Sequence, residues 1–276
     1  MRALNTHMND SWIANARMYA INPAAAAAWR ALFEWLRTHT RVPLKIMDYP
    51  APAPLAELWQ RADMGCVFMC GLPFARARPQ PRIIAAPQPA GAEYKQRSVY
   101  RTHLVVRADS PYQTLEQTFG TRLAYTVPDS QSGYHAVRHY LARFGQPRLY
   151  RQLVGPVINP AGALRVLHEN KADIAPVDSY AWDLYQRFEP AALTGLRIIA
   201  STAWTPIPLL VAAPDCPAAL CATLQATLLG AADSSTAQPL LAALGLHGFS
   251  DVDAQDYSQL AHAAAEARQS VYPLLA

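Results

Sequence analysis

The sequence predicts an α/β protein organised as two lobes, and three observations carry that expectation. Strand-like and helix-like segments alternate along most of the chain, the order that builds parallel sheets. A Pro-rich stretch, "FARARPQPRIIAAPQPAG", interrupts the alternation and separates two strand–helix series of similar size near residue 105. A third segment, from about residue 213, reads as mostly helical.

The elements follow in order. "SWIANARMY" reads as a strand. Asn22 caps and Pro23 opens a helix whose apolar face is Trp29, Leu32, Phe33 and Leu36. "VPLKIMDY" is a second strand, "APLAELWQRA" a short helix and "MGCVFMC" a third strand. The Pro-rich stretch reads as a solvated loop around a short strand. "SVYRTHLVVRAD" is a long strand, "SPYQTLEQTFG" a capped helix and "TRLAYTV" a strand.

In "VPDSQSGYHAVRHYL", Tyr134, Val137, Leu141 and Phe144 recur at helical spacing, and Pro128 forbids helix just before. Asp129 or Ser130 is therefore an N-cap. "RLYRQLVG" is a strand, and "NPAGALRVLHENK" a helix capped by Asn159. "ADIAPVD" is a strand ending at Asp178, which caps "SYAWDLYQRF". "LRIIASTAW" and "TPIPLLVAAPD" are the last strands, and the chain is expected to be helical to its end. Thr102–Arg107 and Leu209–Ala213 are the candidates for two crossings between lobes.

With 276 residues, 51% of them hydrophobic, the chain can bury a sizeable core in one large domain or two small ones. A net charge of +4, without an aromatic-basic platform, argues against nucleic-acid binding. No apolar run approaches the length of a membrane span. The first twenty residues hold no apolar signal core, so the expectation is a cytoplasmic chain or an export signal outside this sequence. Cys66 and Cys70 share one face of a strand and read as small buried hydrophobes. The pairing of Cys216 and Cys221 stays open.

No catalytic signature is present: no GxSxG elbow, P-loop, GxGxxG after a strand, or HExxH. No metal or cofactor set is expected, and His135 and His139, four apart on one helix, read as surface residues. Polar residues instead fall at strand ends: Tyr19, Cys70-Gly71, Ser130–Ser132 and Asp178. Ligands bind at the carboxyl ends of parallel strands, so these positions are expected to converge on a cleft. The helix start at Ser130 offers free N–H groups and hydroxyls, which suit a small anion. Gly133 would allow close approach of a ligand. The bland reading of the same cluster is an ordinary cap, and of Tyr19, Tyr100 and Trp204, core aromatics.

The ordered set "ARMYAINP", "FMCGLPF", "YRTHLVVRADSP", "PDSQSGYHAVRHYL", "ADIAPVDSYAWDL" and "TPIPLLVA" resembles the phosphonate/phosphite/phosphate substrate-binding proteins of ABC importers, which are type 2 periplasmic binding proteins. The resemblance implies two α/β lobes, residues 1–104 with 213–276 and residues 105–212, two hinge crossings and a ligand cleft between the lobes. It implies a solute-binding protein, not an enzyme, that captures a small oxyanion or phosphonate-like ligand for an ABC permease, as a periplasmic monomer.

It places ligand contacts at Tyr19, Cys70, Gly71, Tyr100, Thr102, Ser130, Gln131, Ser132, Gly133 and Asp178. An aspartate beside an anion makes sense if it accepts a proton from a monoprotonated oxyanion or an aminoalkyl group. Two departures point to a ligand other than the standard one: Ala20 stands where a carboxylate is common, and "GPVINPAGA" replaces a Ser/His-containing turn. The competing readings are a ligand sensor on the same fold, or an enzyme using Asp178 or Cys70. A thiophilic ligand at Cys66 and Cys70 is a subsidiary possibility.

Overall fold

The computed structural model describes residues 11–269. Strand β1 (Trp12–Asn15) is buried along its whole length. Asn22 is extended and its side chain accepts the Ala25 N–H at 2.8 Å, so α1 (Pro23–Thr40) starts where Pro23 fixes φ. Strand β2 (Leu44–Ile46), the short α2 (Leu55–Leu58), strand β3 (Met64–Met69) and α3 (Gly71–Arg76) follow.

Strand β4 (Arg82–Pro89) is longer than the short strand read inside the Pro-rich loop, because its first half pairs with Leu210–Ala212 and its second half with Leu246–Ser250. Pro87 and Pro89 fit since the ladder to the neighbouring strand is already irregular there, shifting register between Leu246 and Gly248.

The second series starts after β5 (Val99–Tyr100) with β6 (Thr102–Arg107). The helix expected over "SPYQTLEQTFG" is reduced to one 3-10 turn, Glu116–Thr118. Gln117 Oε1 accepts the N–H groups of Gln113 and Thr114, and Thr118 Oγ1 donates to the Leu115 carbonyl, so side chains close this segment locally. Strand β7 (Arg122–Ala124), helix α4 (Ala136–Ala142), strand β8 (Gln152–Val154), helix α5 (Pro160–His168), strand β9 (Ile174–Asp178), helix α6 (Ser179–Phe188) and strand β10 (Leu196–Ser201) complete it.

Strand β11 (Thr205–Pro206), strand β12 (Leu209–Ala212), helices α7 (Ala218–Leu229) and α8 (Gln238–Ala243), strand β13 (Leu246–Ser250) and helix α9 (Ala254–Gln269) close the described chain. β13 interrupts the expected all-helical end, and the helix expected over residues 270–276 lies outside the described residues.

Two sheets result. One has the order β13-β4-β12-β3-β1-β2 and the other β10-β6-β9-β7-β8. In each, the first strand after a crossing lies antiparallel between two others: β12, returning to the first sheet, between β3 and β4, and β6, opening the second, between β9 and β10. The strands named as crossings thus each lie inside one sheet. The chain passes between sheets one step outward, through β5 and β11, which pair with each other as a two-stranded ribbon.

Both faces of the second sheet are covered. Leu104, Val106, Leu123 and Ile174 enter one apolar cluster while Val105, Ala124 and Ala175 enter another, the period of two expected of a pleated strand. The first sheet packs in a large cluster around Trp29, Phe33, Phe68 and Leu210. Among the described residues no helix is long and apolar enough to cross a membrane.

Candidate functional site

The carboxyl ends of β1, β3, β7 and β9, and the turn after β8, meet around a cavity of about 330 Å³ between the two sheets. Five helix N-caps line it, Pro54 before the one-turn α2 among them. Cys70 precedes α3, Ser130 precedes the turn leading into α4, Asn159 precedes α5 and Asp178 precedes α6. Ser130 is the cap that the sequence left open between two residues, and Asp129 lines the cavity beside it. Each helix directs its N-terminal partial positive charge at one space.

Ser130 starts with a π turn, Gln131–His135, closed by the His135 N–H on the Ser130 carbonyl at 3.0 Å. Ser130 Oγ accepts the Gly133 N–H at 2.9 Å, and the Gln131 N–H donates to Cys70 Sγ at 3.4 Å. Thr102 Oγ1 holds the turn from behind by donating to the Ser132 carbonyl at 2.9 Å. Asn159 Oδ1 accepts the Gly162 N–H at 3.0 Å.

Asp178 is almost wholly buried, 6% exposed, with Oδ1 accepting the Ala181 N–H at 2.9 Å and Oδ2 accepting the Tyr19 hydroxyl at 3.3 Å. Burial pushes its carboxyl up to about 7, against the opposing pull of the Ala181 and Tyr180 N–H groups and the Tyr19 hydroxyl. Burial likewise pushes the Cys70 thiol up to about 11. Tyr19 and Tyr100 are held far above the usual phenol range, first by burial and then by neighbours that include Asp178. At neutral pH the cavity therefore holds a neutral thiol, the neutral Tyr19 phenol and a carboxyl balanced between two forms.

Of the residues singled out in the sequence, Tyr19, Cys70, Ser130, Ser132, Gly133 and Asp178 line the cavity. Gly71, Tyr100, Thr102 and Gln131 do not. Gly71 is glycine because a Cβ there would come within 2.7 Å of Leu260, so it serves the packing of α9. Gly133 has a similar reason: its Cβ would lie 1.8 Å from Thr126 Oγ1, which seats the π turn against the end of β7. Tyr100 is buried in the crossing ribbon. Trp204 packs on Tyr94 and under the Arg101 guanidinium, away from the cavity. Cys66 is buried in the first core, while Cys216 and Cys221 are free and buried.

Sequence reasoning missed Arg17, Thr126 and Trp59. Arg17 lines the cavity, donates to the Ala53 carbonyl and lies over the Tyr49 ring at 5.6 Å. Its only sequence signal is its place just beyond a strand's carboxyl end. Met18, Pro52, Leu55, Trp59, Ile158 and Pro160 give the cavity a broad apolar wall.

The comparisons agree with this architecture. The model of a family described as ABC transporter, phosphonate, periplasmic substrate-binding protein matches residues 21–257. The binding protein component of an ABC phosphonate transporter from Pseudomonas aeruginosa superposes with a TM-score of 0.79 at 14% identity, covering 94% of this chain and 88% of that one. PhnD1 from Prochlorococcus marinus, solved with methylphosphonate, gives 0.79 at 14%, covering 93% and 97%. A Xanthomonas citri protein bound to ATP gives 0.69 at 19%, covering 95% and 99%. No curated protein sequence matches the chain.

These likenesses fix a two-lobe periplasmic binding fold with a cleft between the lobes. Together with the family match over most of its length, they make the chain a member of the periplasmic substrate-binding proteins of phosphonate ABC transporters.

Proposed function

We propose that this chain captures a phosphonate or phosphate monoester bearing an apolar organic group, and presents it to an ABC permease without turning it over. The observation that carries this reading is the convergence of the Ser130, Asn159 and Asp178 helix starts on one cavity. Helix starts and hydroxyls satisfy acceptor oxygens without a full counter-charge. The ligand's head contacts Ser130 and Ser132, with Tyr19, Cys70 and Gly133 alongside, while Tyr100, Thr102, Gln131 and Gly71 act from behind by holding these groups in place.

Asp178 shares a proton with the bound oxyanion, which favours a monoprotonated head. The apolar wall of Met18, Leu55, Trp59 and Ile158 faces the organic group. A cavity of about 330 Å³ is in the range of organic ligands and leaves room beyond a bare oxyanion.

The lobes divide at the β5 and β11 crossings, slightly before the borders expected at 104/105 and 212/213. Closure about this ribbon traps the ligand. Membership of a substrate-binding family supports binding over catalysis. Family membership supports a periplasmic monomer working with a permease.

A thermal-shift series tests the reading, using phosphate, methylphosphonate, 2-aminoethylphosphonate and phenylphosphonate. A ligand at 100 times its dissociation constant stabilises by about 2.7 kcal/mol. The expected result is a larger shift with phenylphosphonate than with methylphosphonate, lost in Ser132→Ala. No shift with any of the four would overturn the proposal.

A further inference from the structure

Outside the cavity, the junction of α3, α4 and α9 gathers more basic groups, Arg76, His135, Arg138 and Arg268, than the Glu266 carboxylate beside His139 offsets. Arg138 on α4 is only 1% exposed, and its Nε and Nη2 have no hydrogen-bond partner among the described residues. One turn earlier, His135 is 5% exposed with Nδ1 also unpartnered. Arg76 ends α3 and Arg268 lies in the last turn of α9, both exposed. The helices meet directly: α3 packs on α9 through Gly71 against Leu260 and Tyr257, and His139 Nε2 lies 3.7 Å from Glu266 Oε2 between α4 and α9. Glu266 thus faces His139.

Burial, then the charges of Arg76 and Arg138, push the His135 imidazole down to about 4. Burial, then Arg268, lowers the basicity of Arg76. Burial lowers that of Arg138, with Arg268 and Arg76 adding to it and Tyr134 opposing.

A buried guanidinium carries five donors and no acceptor, and left unpaired it carries a large desolvation penalty. Such groups are normally satisfied by an anion. None of Arg76, His135, Arg138 or Arg268 lines the 330 Å³ cavity, so the ligand site does not provide one.

We propose that the α3–α4–α9 junction is a second anion site, which takes a small free divalent oxyanion on Arg138, with Arg76 and Arg268 folding over it from the rim. Three guanidinium groups, with the Glu266 carboxylate facing His139, favour a dianion over a monoanion. The depth of Arg138 favours a free ion over a side chain of another macromolecule. The helices come from both sides of the cleft, α3 and α9 from the first lobe and α4 from the second. The anion therefore favours the closed arrangement by linkage.

Inorganic sulfate is the probe, because it carries no proton for Asp178 to accept at neutral pH. Its binding to the full chain is measured by isothermal titration for wild type, for the surface double variant Arg76→Gln/Arg268→Gln, for Arg138→Met, and for the cavity variant Ser132→Ala. The expected result is one sulfate bound by wild type and by Ser132→Ala. The double variant binds at least about tenfold more weakly, and Arg138→Met shows no binding. The proposal is overturned by no binding to wild type at millimolar sulfate, by equal affinity in the double variant, or by loss of binding in Ser132→Ala. If Arg138→Met does not fold, the double variant decides.

Discussion

Replacing Asp178 by Asn isolates the cost of holding a carboxylate at this buried position in the cleft. Its pKa rises from 3.8 unfolded to about 7 folded, chiefly through burial. At about 1.4 kcal/mol per unit, the charged form is disfavoured in the folded chain by roughly 4 kcal/mol. The sign follows from proton counts. Between the two pKa values the native state binds more protons than the unfolded state, so stability is full below about pH 4 and falls as pH rises towards 7.

Asn preserves the cap, since its Oδ1 still accepts the Ala181 N–H, and it carries no charge at any pH. Urea denaturation of both proteins near pH 5 and near pH 8 measures the difference. Over that span wild type should lose about 3 kcal/mol relative to Asp178→Asn, and the variant should be the more stable protein at the higher pH. Parallel pH profiles for the two proteins would refute the argument, because they would mean that the carboxylate is solvated in the folded state.

Three further outcomes are expected. Ser130→Ala removes the acceptor of the Gly133 N–H and should cost about 1 kcal/mol in urea unfolding, together with weaker phosphonate binding by titration calorimetry. Asn159→Ala should cost a similar amount through the lost Gly162 cap, read by the same unfolding assay. Gly133→Ala drives a methyl into Thr126 and should destabilise by about 1–3 kcal/mol, with partial recovery when Thr126→Gly opens the space, a double-mutant cycle that measures the contact directly.

The sequence made the alternating order, the caps at Asn22, Asn159 and Asp178, and six of the cavity residues legible, because caps and strand ends are local signals. Its failures were where distant partners decide. β4 carries two prolines, with Pro81 just before it, and reads as a loop around a short strand, yet β12 and β13 on either side make it a full interior strand. β13 itself, "LHGFS", is too short to stand out from the surrounding helical pattern and is defined by its pairing to β4. The turn at Glu116–Thr118 reads as helix because Gln117 and Thr118 are ordinary helix residues, but their side chains satisfy the backbone first. Arg138 gave no signal, since an arginine on an amphipathic helix is expected to be solvated and only tertiary packing buries it.

The insertion of β12 between β3 and β4 constrains the order in which the chain matures. Everything needed for the second sheet lies in one continuous stretch, Thr102–Ser201, and is available as soon as that stretch has been synthesised. The first sheet begins earlier but has an open slot at its centre until Leu209–Ala212 emerges. The N-terminal half therefore waits, with apolar strand edges unpaired, while about a hundred residues fold ahead of it. The part of the molecule that is made first is the part that finishes last.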